Sequence, residues 1–415
     1  MLFIYRILIN IVVLISPIII LYRLLIKKED PKRFIEKYGF SFKRKKIGKL
    51  IWFHGSSVGE ILSIIPLIEK LEKKKDIKNI LLTTSTLSSS KVIQNFNLKK
   101  TIHQFYPIDS NIIINKFLDY WNPSSAIFIE SEIWPNMILK LKKRNIPLVL
   151  LNARITKKSF EKWKSISFFS RYIFEKFDLC LAQNNETNYY LKKLGAKKIN
   201  QLGNLKFSET NLKSIKTIQP SKKKFLSSKK ILFTAVSTHY NEEIFCGKLH
   251  IALKNNYKDS ISIIIPRHTQ RSSQIVDGLE KIGLKVHLHS SNKKIDDNID
   301  VYIVDTYGET KTFLKISKIV FLGGSLIKHG GQNPLEPARM GCKVIHGPYI
   351  QNFHEVYQLL NKINISSKIK NINQGIKIIN KYLKKTSNSK KNVLKLNKIG
   401  NQILIKNYLC INKYI

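Results

Sequence analysis

Three glutamates follow predicted strands in the first part of the chain, where carboxylates could carry acid–base chemistry. Glu60 follows the turn HGSSVG and opens an amphipathic helix, whereas Glu130 and Glu132 follow the apolar run AIFI. Ligands of open α/β sheets bind at the carboxyl ends of the strands, and a partly buried carboxylate there could be a general base. Alternatively, Glu60 only complements the helix dipole, and one of the other two caps a turn while its neighbour is solvated.

Cations follow later strands of the same half. The stretch NARITKKS carries Arg154, Lys157 and Lys158, and GNLKF carries Lys206 just before a polar segment. Such groups could bind a phosphate or a carboxylate. Taken singly, each could equally be a solvated surface charge.

The second half repeats this arrangement. The run ISIII is followed by Arg267 and His268, STHY brings His239, and DTYGE brings Gly308 and Glu309. Polar groups therefore recur at successive strand ends, and parallel strands bring those ends to one edge of a sheet. This clustering predicts an anion-binding site.

The stretch FLGGSLIKHGGQNPLEPARMG (321–341) contains two glycine pairs followed by a predicted helix. Glycine permits positive φ and close approach of the backbone to a ligand. Asn333 suits an N-cap, Pro334 the first helical position and Glu336 the third, which together resemble a capping box. A helix N-terminus could hold a phosphate, and Glu336 could close the cap or reach ribose hydroxyls. The spacing matches neither a P-loop nor a dinucleotide fingerprint.

Short apolar runs alternate with helix-length segments throughout, which predicts an α/β fold with two Rossmann-like domains of parallel strands. Two such halves joined by a linker imply a cleft. The predicted strands are 50–53, 80–83, 126–129, 148–151 and 179–182, then 231–234, 261–265, 301–304, 319–322 and 343–346. The predicted domains are an N-terminal anchor 1–26, a first domain 27–212, a linker 213–224, a second domain 225–390 and a helical tail 391–415.

The apolar N-terminal run 2–26 approaches the ~20 residues that a spanning helix needs, counting Arg6 and Arg23 near its ends. Residues 27–49 hold ten basic and three acidic side chains. By the positive-inside rule, the rest of the chain should lie on the cytoplasmic side. A helix lying in the membrane interface is the alternative, because Asn10, Ser16 and Pro17 weaken the span.

The strongly basic composition has two possible explanations, an anionic partner or a general abundance of lysine. The chain has 415 residues, 72 of them basic and 28 acidic, for a net charge of +44. Nucleic acid, a phosphorylated substrate or an anionic membrane would fit, but a general abundance of lysine would explain the excess as well. The four cysteines are far apart and form no C-x-x-C pair, so reduced thiols in a cytosolic compartment are expected.

Eight motifs in order, HGSSVGE, ESEIWPN, NARIT, GNLKF, STHYNEE, PRH, DTYGE and GGSLIKHGGQNPLEPA, resemble those of the Kdo (3-deoxy-D-manno-octulosonic acid) transferases. The resemblance implies a GT-B architecture whose first domain binds the acceptor and whose second binds CMP-Kdo. It implies an inverting transfer of Kdo to a phosphorylated lipid A precursor, lipid IVA, in lipopolysaccharide synthesis at the inner membrane. It also implies no cofactor, no metal held by an Asp-x-Asp motif and no nucleic acid.

Carried over by motif, Glu60 resembles the family's catalytic base, and Glu130 and Lys206 resemble residues that stabilise the transition state. Departures are Gly55-Ser56, Tyr307 and Gln332, the last two within the nucleotide segments. The residues that resemble the family's CMP-binding segments are Arg267, His268, Tyr307, Gly308, Glu309, Asn333, Pro334, Leu335 and Glu336.

Two other functions fit parts of the sequence. One is a GT-B transferase that uses a different nucleotide sugar. The other is a basic, membrane-anchored nucleic-acid-binding protein, which the net charge suggests. The chain lacks an interleaved aromatic and basic platform of the kind that binds single strands.

Overall fold

The computed structural model describes residues 1–41, 43, 45–209, 217–384 and 389–415. The chain forms two compact units. Unit 1 comprises Met1–Leu212 together with Ile399–Ile415, and unit 2 comprises Lys213–Lys398. The chain therefore leaves unit 1 once and returns to it near its end.

Unit 1 is built on a seven-stranded sheet of order β3-β2-β1-β4-β5-β6-β7, in which every pair of neighbours is parallel. The strands are β1 Lys49–His54, β2 Ile77–Thr84, β3 Thr101–Phe105, β4 Ser125–Ile129, β5 Leu148–Ala153, β6 Leu179–Ala182 and β7 Ile199–Gln201. The helices are α1 Leu2–Leu25, α2 Val58–Glu72, α3 Leu87–Ile93, α4 Asn111–Trp121, α5 Pro135–Lys143, α6 Lys157–Lys164, α7 Ser167–Phe174 and α8 Asn185–Leu194.

Both faces of the unit 1 sheet are covered, which explains why its central strands are apolar at every position. In β1, Leu50 and Trp52 belong to one buried cluster, and Ile51 and Phe53 belong to the other. This alternation is the period of two that a strand imposes on its side chains. A parallel sheet buried on both faces directs ligands to the strand ends, where the loops are accessible.

Unit 2 has a second parallel sheet of seven strands, in the order β10-β11-β9-β8-β12-β13-β14. The strands are β8 Lys230–Thr238, β9 Ser260–Pro266, β10 Val286–Leu288, β11 Val301–Ile303, β12 Ile319–Leu322, β13 Lys343–His346 and β14 Ser366–Lys368. The helices are α9 Pro220–Ser228, α10 Glu242–Lys254, α11 Ser272–Glu280, α12 Thr310–Ile316, α13 Leu335–Arg339, α14 His354–Lys362, α15 Ile372–Lys384 and α16 Ser389–Ile411.

The C-terminal helix α16 begins in unit 2 and ends in unit 1. Its last turns pack on the α2 side of the first sheet, where Ile411 is fully buried. Gly400 permits this close packing, because a Cβ there would lie 2.1 Å from the carbonyl oxygen of Phe207. The segment 391–415, predicted as a helical tail, is thus an integral part of unit 1 over its final residues.

The predicted α/β fold of two parallel-sheet domains is confirmed, and each of the ten predicted strands is present. The four strands that the sequence did not indicate, β3, β7, β10 and β14, are the edges of the two sheets. Edge strands have one paired side and need fewer apolar residues, so their signal is weak. Of the predicted linker 213–224, residues 213–216 lie outside the described part of the chain, and residues 220–224 begin α9.

Candidate functional site

Glu60 lies at the start of α2, directly beyond the carboxyl end of β1. Ser57 is the N-cap of this helix: its Oγ accepts a hydrogen bond from Glu60 N (3.3 Å) and donates one to Glu60 Oε1 (2.7 Å). Ser56 N donates to Glu60 Oε2 at 2.8 Å. The carboxylate is therefore fixed by its own turn, and only 9% of the residue is exposed. The same geometry places Glu60 in the first turn of the helix and buries its carboxylate at the sheet edge, so the role of Glu60 as a base stays a prediction.

Glu130 follows β4 in a left-handed backbone conformation, with φ at 55°. Such a conformation costs a residue with a side chain roughly 1–3 kcal/mol and is found mainly at functional sites. Its Oε1 lies 2.6 Å from Lys206 Nζ, and both side chains are largely buried. The structure therefore brings Glu130 and Lys206, two of the predicted residues, into one ion pair.

Two asparagines position Lys206. Asn152, at the end of β5, accepts a hydrogen bond from Leu205 N on its Oδ1 (2.9 Å), and Asn204 Oδ1 accepts one from Lys206 N (2.9 Å). A Cβ on Gly59 would lie 3.8 Å from Lys206 Cε, so the lysine passes beside the start of α2. Glu60, Glu130 and Lys206 are therefore gathered at one end of the sheet.

Glu132 adds a third carboxylate at this edge, together with a histidine that the sequence analysis missed. His54 Nε2 lies 2.9 Å from Glu132 Oε2, and Trp134 Nε1 donates to the same oxygen at 2.7 Å. Burial alone would raise the pKa of Glu132, but the hydrogen bonds from His54 and Trp134 outweigh it and hold that pKa below its usual value. His54 could have been found from the sequence, because it is a polar residue at the end of the apolar strand KLIWFH.

The pKa of Glu60 is shifted in the opposite direction from that of Glu132. Burial raises the pKa of Glu60, and the negative charges of Glu132 and Glu130 raise it further, against the hydrogen bonds from Ser57 and Ser56. A carboxylate in this position holds a proton more readily than a solvated glutamate. Glu60 is therefore better suited than Glu132 to accept a proton.

In unit 2, the turn after β12 is held by a buried carboxylate that the sequence analysis did not single out. Glu242, 1% exposed, accepts hydrogen bonds from Gly324 N (2.6 Å), Ser325 N (3.0 Å) and Leu326 N (2.9 Å). These N–H groups are occupied within the protein. A Cβ on Gly323 would lie 2.3 Å from Ser237 O, so close backbone packing requires glycine there.

The expected capping box at Asn333 takes a different form. Asn333 Oδ1 accepts from Leu335 N (3.1 Å), but α13 begins at Leu335 and has only five residues. Glu336 Oε1 lies 3.7 Å from Lys311 Nζ, and 42% of the Glu336 side chain is exposed. The side chains of Pro334 and Leu335 are buried, so these two residues have only backbone to offer a ligand. A helix this short provides little dipole, which leaves the Glu336 side chain as the polar group to consider.

Side-chain contacts connect the other segments that were predicted to bind the nucleotide. His268 follows β9, and its ring centroid lies 6.0 Å from that of His239, which in turn lies 4.4 Å from His329. Tyr307 donates from its hydroxyl to Gln270 Oε1 at 3.4 Å. Three segments, around residues 268, 307 and 329, are thereby connected at the strand ends of unit 2.

The remaining predicted residues of unit 2 lie in the same region. Arg267 is exposed, and its N–H donates to Thr238 O at the end of β8. Gly308 has φ at 81°, which a turn of this shape requires of glycine. Glu309 lies 2.8 Å from His289 Nε2 and accepts from Thr306 Oγ1 at 2.6 Å.

The surroundings of His239 are electropositive. Burial, together with the charges of the neighbouring His329, His268, Arg267 and Arg271, lowers the pKa of His239 to about 4. Groups that disfavour a proton on one imidazole also attract an anion. This cluster, formed by strand ends and a glycine-rich turn, suits a phosphate.

Two Rossmann-like units with functional groups at their strand ends define the GT-B class. Among solved structures, the UDP-GlcNAc 2-epimerase of Neisseria meningitidis bound to UDP-GlcNAc matches with a TM-score of 0.57 at 14% identity, covering 88% of this chain and 99% of that one. At this identity the match shows the fold alone.

The sequence comparisons are more specific. The family model of 3-deoxy-D-manno-octulosonic-acid transferase (kdotransferase) matches residues 32–209. The 3-deoxy-D-manno-octulosonic acid transferase of Haemophilus influenzae is 30% identical over 399 residues, covering 94% of this chain and 92% of the relative. A probable mitochondrial 3-deoxy-D-manno-octulosonic acid transferase of Arabidopsis thaliana is 34% identical, covering 87% and 83%. The chain belongs to the Kdo transferase family, and it is a glycosyltransferase.

The role of Glu242 can be tested by stability. Glu242→Ala removes the acceptor of several buried N–H groups, so we expect the free energy of unfolding to fall by roughly 2–4 kcal/mol. Glu280→Ala, on the exposed face of α11, is the matched control and should change little. Chemical denaturation monitored by circular dichroism gives both values. Equal stability of the two variants would show that the carboxylate does not hold the turn.

Proposed function

We propose that the protein transfers Kdo from CMP-Kdo to a phosphorylated lipid A precursor, lipid IVA, with inversion at the anomeric carbon. The observation that carries the proposal is the set of three carboxylates at one edge of the sheet in unit 1: burial and the charges of Glu132 and Glu130 raise the pKa of Glu60, which accepts hydrogen bonds from Ser56 N and Ser57 Oγ. Membership of the Kdo transferase family supports the identity of the transferred sugar.

Glu60 acts as the general base in this proposal. An acceptor hydroxyl forms the new bond to the anomeric carbon, its proton passes to Glu60, and the bond from that carbon to the CMP phosphate breaks. The raised pKa of Glu60 matches the base to the proton that it must take. Because a single displacement needs one base and no enzymic nucleophile, the outcome is inversion.

Glu130 and Lys206 stabilise the transition state. As CMP leaves, positive charge develops at the sugar and negative charge at the phosphate. The Glu130 carboxylate can stabilise the positive charge at the sugar, and the Lys206 ammonium can stabilise the negative charge at the phosphate. Their ion pair keeps both groups oriented before substrate binds.

Unit 2 binds the CMP portion of the donor. Arg267 provides positive charge for the phosphate, and the imidazole of His268 provides a ring nitrogen beside those of His239 and His329. Glu336, whose carboxylate is partly exposed, is suited to the ribose hydroxyls. The segments 307–309 and 333–335 complete the nucleotide site.

The acceptor is a lipid, so we further propose that the enzyme works at the cytoplasmic side of the inner membrane, where the apolar N-terminal helix and its basic neighbours meet anionic lipids. The helix α1 is long and apolar enough to cross a membrane by length and composition. A family member acting on a membrane-embedded acceptor needs such an attachment.

Donor competition tests the proposed activity. The protein is incubated with lipid IVA and an equimolar mixture of CMP-Kdo and UDP-GlcNAc, and the lipid is analysed by mass spectrometry. We expect the mass of Kdo to be added. Addition of the other sugar, or of neither, would contradict the proposal.

Glu60→Gln tests the base. The variant keeps the shape of the side chain but cannot take the proton, so turnover should fall roughly 10²–10⁴-fold while the affinity for CMP is unchanged. Glu69→Gln, exposed on the same helix, is the control and should keep full activity. Steady-state kinetics and calorimetric titration with CMP give the two readouts. Turnover of Glu60→Gln near that of the control would remove Glu60 from this role.

Glu132→Gln tests the electrostatic coupling. Ionised Glu60 is the active form, so the rate declines as pH falls through its raised pKa. Removing the Glu132 charge takes away one cause of the raised pKa, and the acid limb of kcat/KM should move to lower pH. Glu69→Gln should leave it in place. An unmoved limb in Glu132→Gln, or a shift to higher pH, would refute the coupling.

Two substitutions test the nucleotide site. Arg267→Ala and Glu336→Ala should each weaken CMP binding roughly tenfold or more, since each removes a charged contact. Glu280→Ala is the control for affinity. If Glu336 only stabilises its turn, Glu336→Ala will lower the thermal unfolding temperature with the affinity for CMP unchanged, and calorimetry beside thermal unfolding separates the two results.

A further inference from the structure

A cavity of about 850 Å³ lies at the amino ends of the strands in unit 2. Its walls include the first residues of β8, β12 and β13 (Lys230, Ile319 and Lys343) and the last turns of α9, α12 and α15. The residues proposed to bind CMP follow the opposite, carboxyl ends of the strands in this sheet. Along β8, the distance from Lys230 to Thr238 is roughly 26 Å. The cavity is therefore separate from the proposed nucleotide site.

Lysine dominates the lining of this cavity. Seven of the eighteen residues that line it are lysines, and none of these eighteen described residues is acidic. The whole chain has 72 basic and 28 acidic residues. At that ratio, seven lysines would be accompanied by about two or three acidic residues. The general abundance of lysine therefore does not explain the lack of acidic side chains here.

Few of these lysines have an anionic or carbonyl partner. Lys229 Nζ lies 2.6 Å from Asp259 Oδ1, and Lys343 Nζ donates to Asn364 O at 2.5 Å. The other five are exposed, and within the part of the chain that the structure describes they form no ion pair: Lys223, Lys230, Lys315, Lys318 and Lys384. The cavity thus collects ammonium groups whose charge the protein does not pair.

The helix ends account for only part of this charge. The C-termini of α9, α12 and α15 meet at the cavity, and each carries about half a negative charge. A lysine in the last turn, such as Lys315 of α12 or Lys384 of α15, is expected for this reason alone. Three such ends offset fewer than two of the five unpaired ammonium groups, so roughly three positive charges stay uncompensated. An anion with several charges would compensate them.

The wall between the lysines is largely apolar. It includes Leu226, Ile316, Leu383 and the ring of Tyr382. The Tyr382 hydroxyl lies 2.6 Å from Ser367 Oγ, so the polar end of this side chain is bound within the protein. Sites for small molecules are cavities of about 300–1,000 Å³ that combine apolar walls with a few charged groups. The volume and the lining therefore favour a small organic anion.

We propose that this cavity binds a small organic polyphosphate, of which a nucleoside triphosphate is the simplest example. The lysines hold the phosphates as point charges. The apolar wall, with Tyr382, receives the ring of the ligand. The inference rests on the lining of unit 2 alone and is independent of the sugar that the enzyme transfers.

Calorimetric titration of the full chain in detergent tests the site. ATP is titrated in about 0.15 M salt, where long-range attraction is largely screened, with and without saturating CMP. We expect ATP binding to persist in the presence of CMP, because the two sites lie at opposite ends of the sheet. Inorganic tripolyphosphate should bind roughly tenfold more weakly than ATP, because it lacks a ring to stack on the wall.

Three results would overturn the proposal. They are no ATP binding at up to about 1 mM, complete displacement of ATP by CMP, and equal affinities for ATP and tripolyphosphate. If CMP itself does not bind, the proposed donor site fails, whereas the titration with ATP still tests this cavity.

Two paired variants locate the binding. Lys315→Gln combined with Lys318→Gln removes two cations of the cavity and should weaken ATP binding at least roughly tenfold. Lys248→Gln combined with Lys281→Gln removes two exposed cations elsewhere on unit 2 and should leave the affinity unchanged. Equal losses in the two paired variants would show that the net charge of the chain, and not this cavity, attracts ATP.

A short thymidine oligonucleotide distinguishes a site for small molecules from a surface for nucleic acid. We expect its affinity to be the same for the two paired variants, since a cavity of this volume suits a small ligand. A loss of oligonucleotide affinity confined to the variant with Lys315→Gln and Lys318→Gln would assign the cavity to nucleic acid and contradict the proposal.

Discussion

Three carboxylates at one sheet edge, two of them buried and Glu132 partly buried, impose a constraint on unit 1. Like charges close together in a poorly solvated site cannot all ionise without compensation. Glu132 is compensated by His54 and Trp134, and Glu130 by Lys206. Glu60 receives the neutral Ser56 N–H and Ser57 hydroxyl, and its pKa is raised by burial and by the other two. The distribution of partners thus assigns different roles to chemically identical side chains.

The fold provides these partners from separate strand ends. Glu130 accepts a left-handed backbone, with φ at 55°, in order to aim its carboxylate at Lys206. Asn152 has a similar conformation and holds the short helical turn that carries the lysine. Backbone strain at two adjacent strand ends is sustained because the sheet beneath is buried on both faces.

Much of this was predictable from the sequence, because central strands buried on both faces are apolar throughout and their ends are marked by polar turns. Glu60, Glu130 and Lys206 were found by such positions and by family resemblance. The edge strands, His54 and Glu242 were not found from the sequence. A short edge strand has few apolar residues to indicate it, and the sequence does not reveal which residue an isolated polar side chain contacts in the folded protein. The five-residue helix at Leu335 and the return of α16 to unit 1 depend on tertiary packing, which local patterns do not contain.

The account's central claim is that one base, Glu60, drives a single displacement while Glu130 and Glu132 remain bound to their own partners. The anomeric configuration of the product tests this most directly. Carbon NMR of lipid IVA carrying Kdo transferred from ¹³C-labelled CMP-Kdo identifies the new linkage. The account predicts an anomer inverted relative to the donor. A retained configuration would mean that a second group forms a bond to the sugar, and would contradict the assignment of a single base.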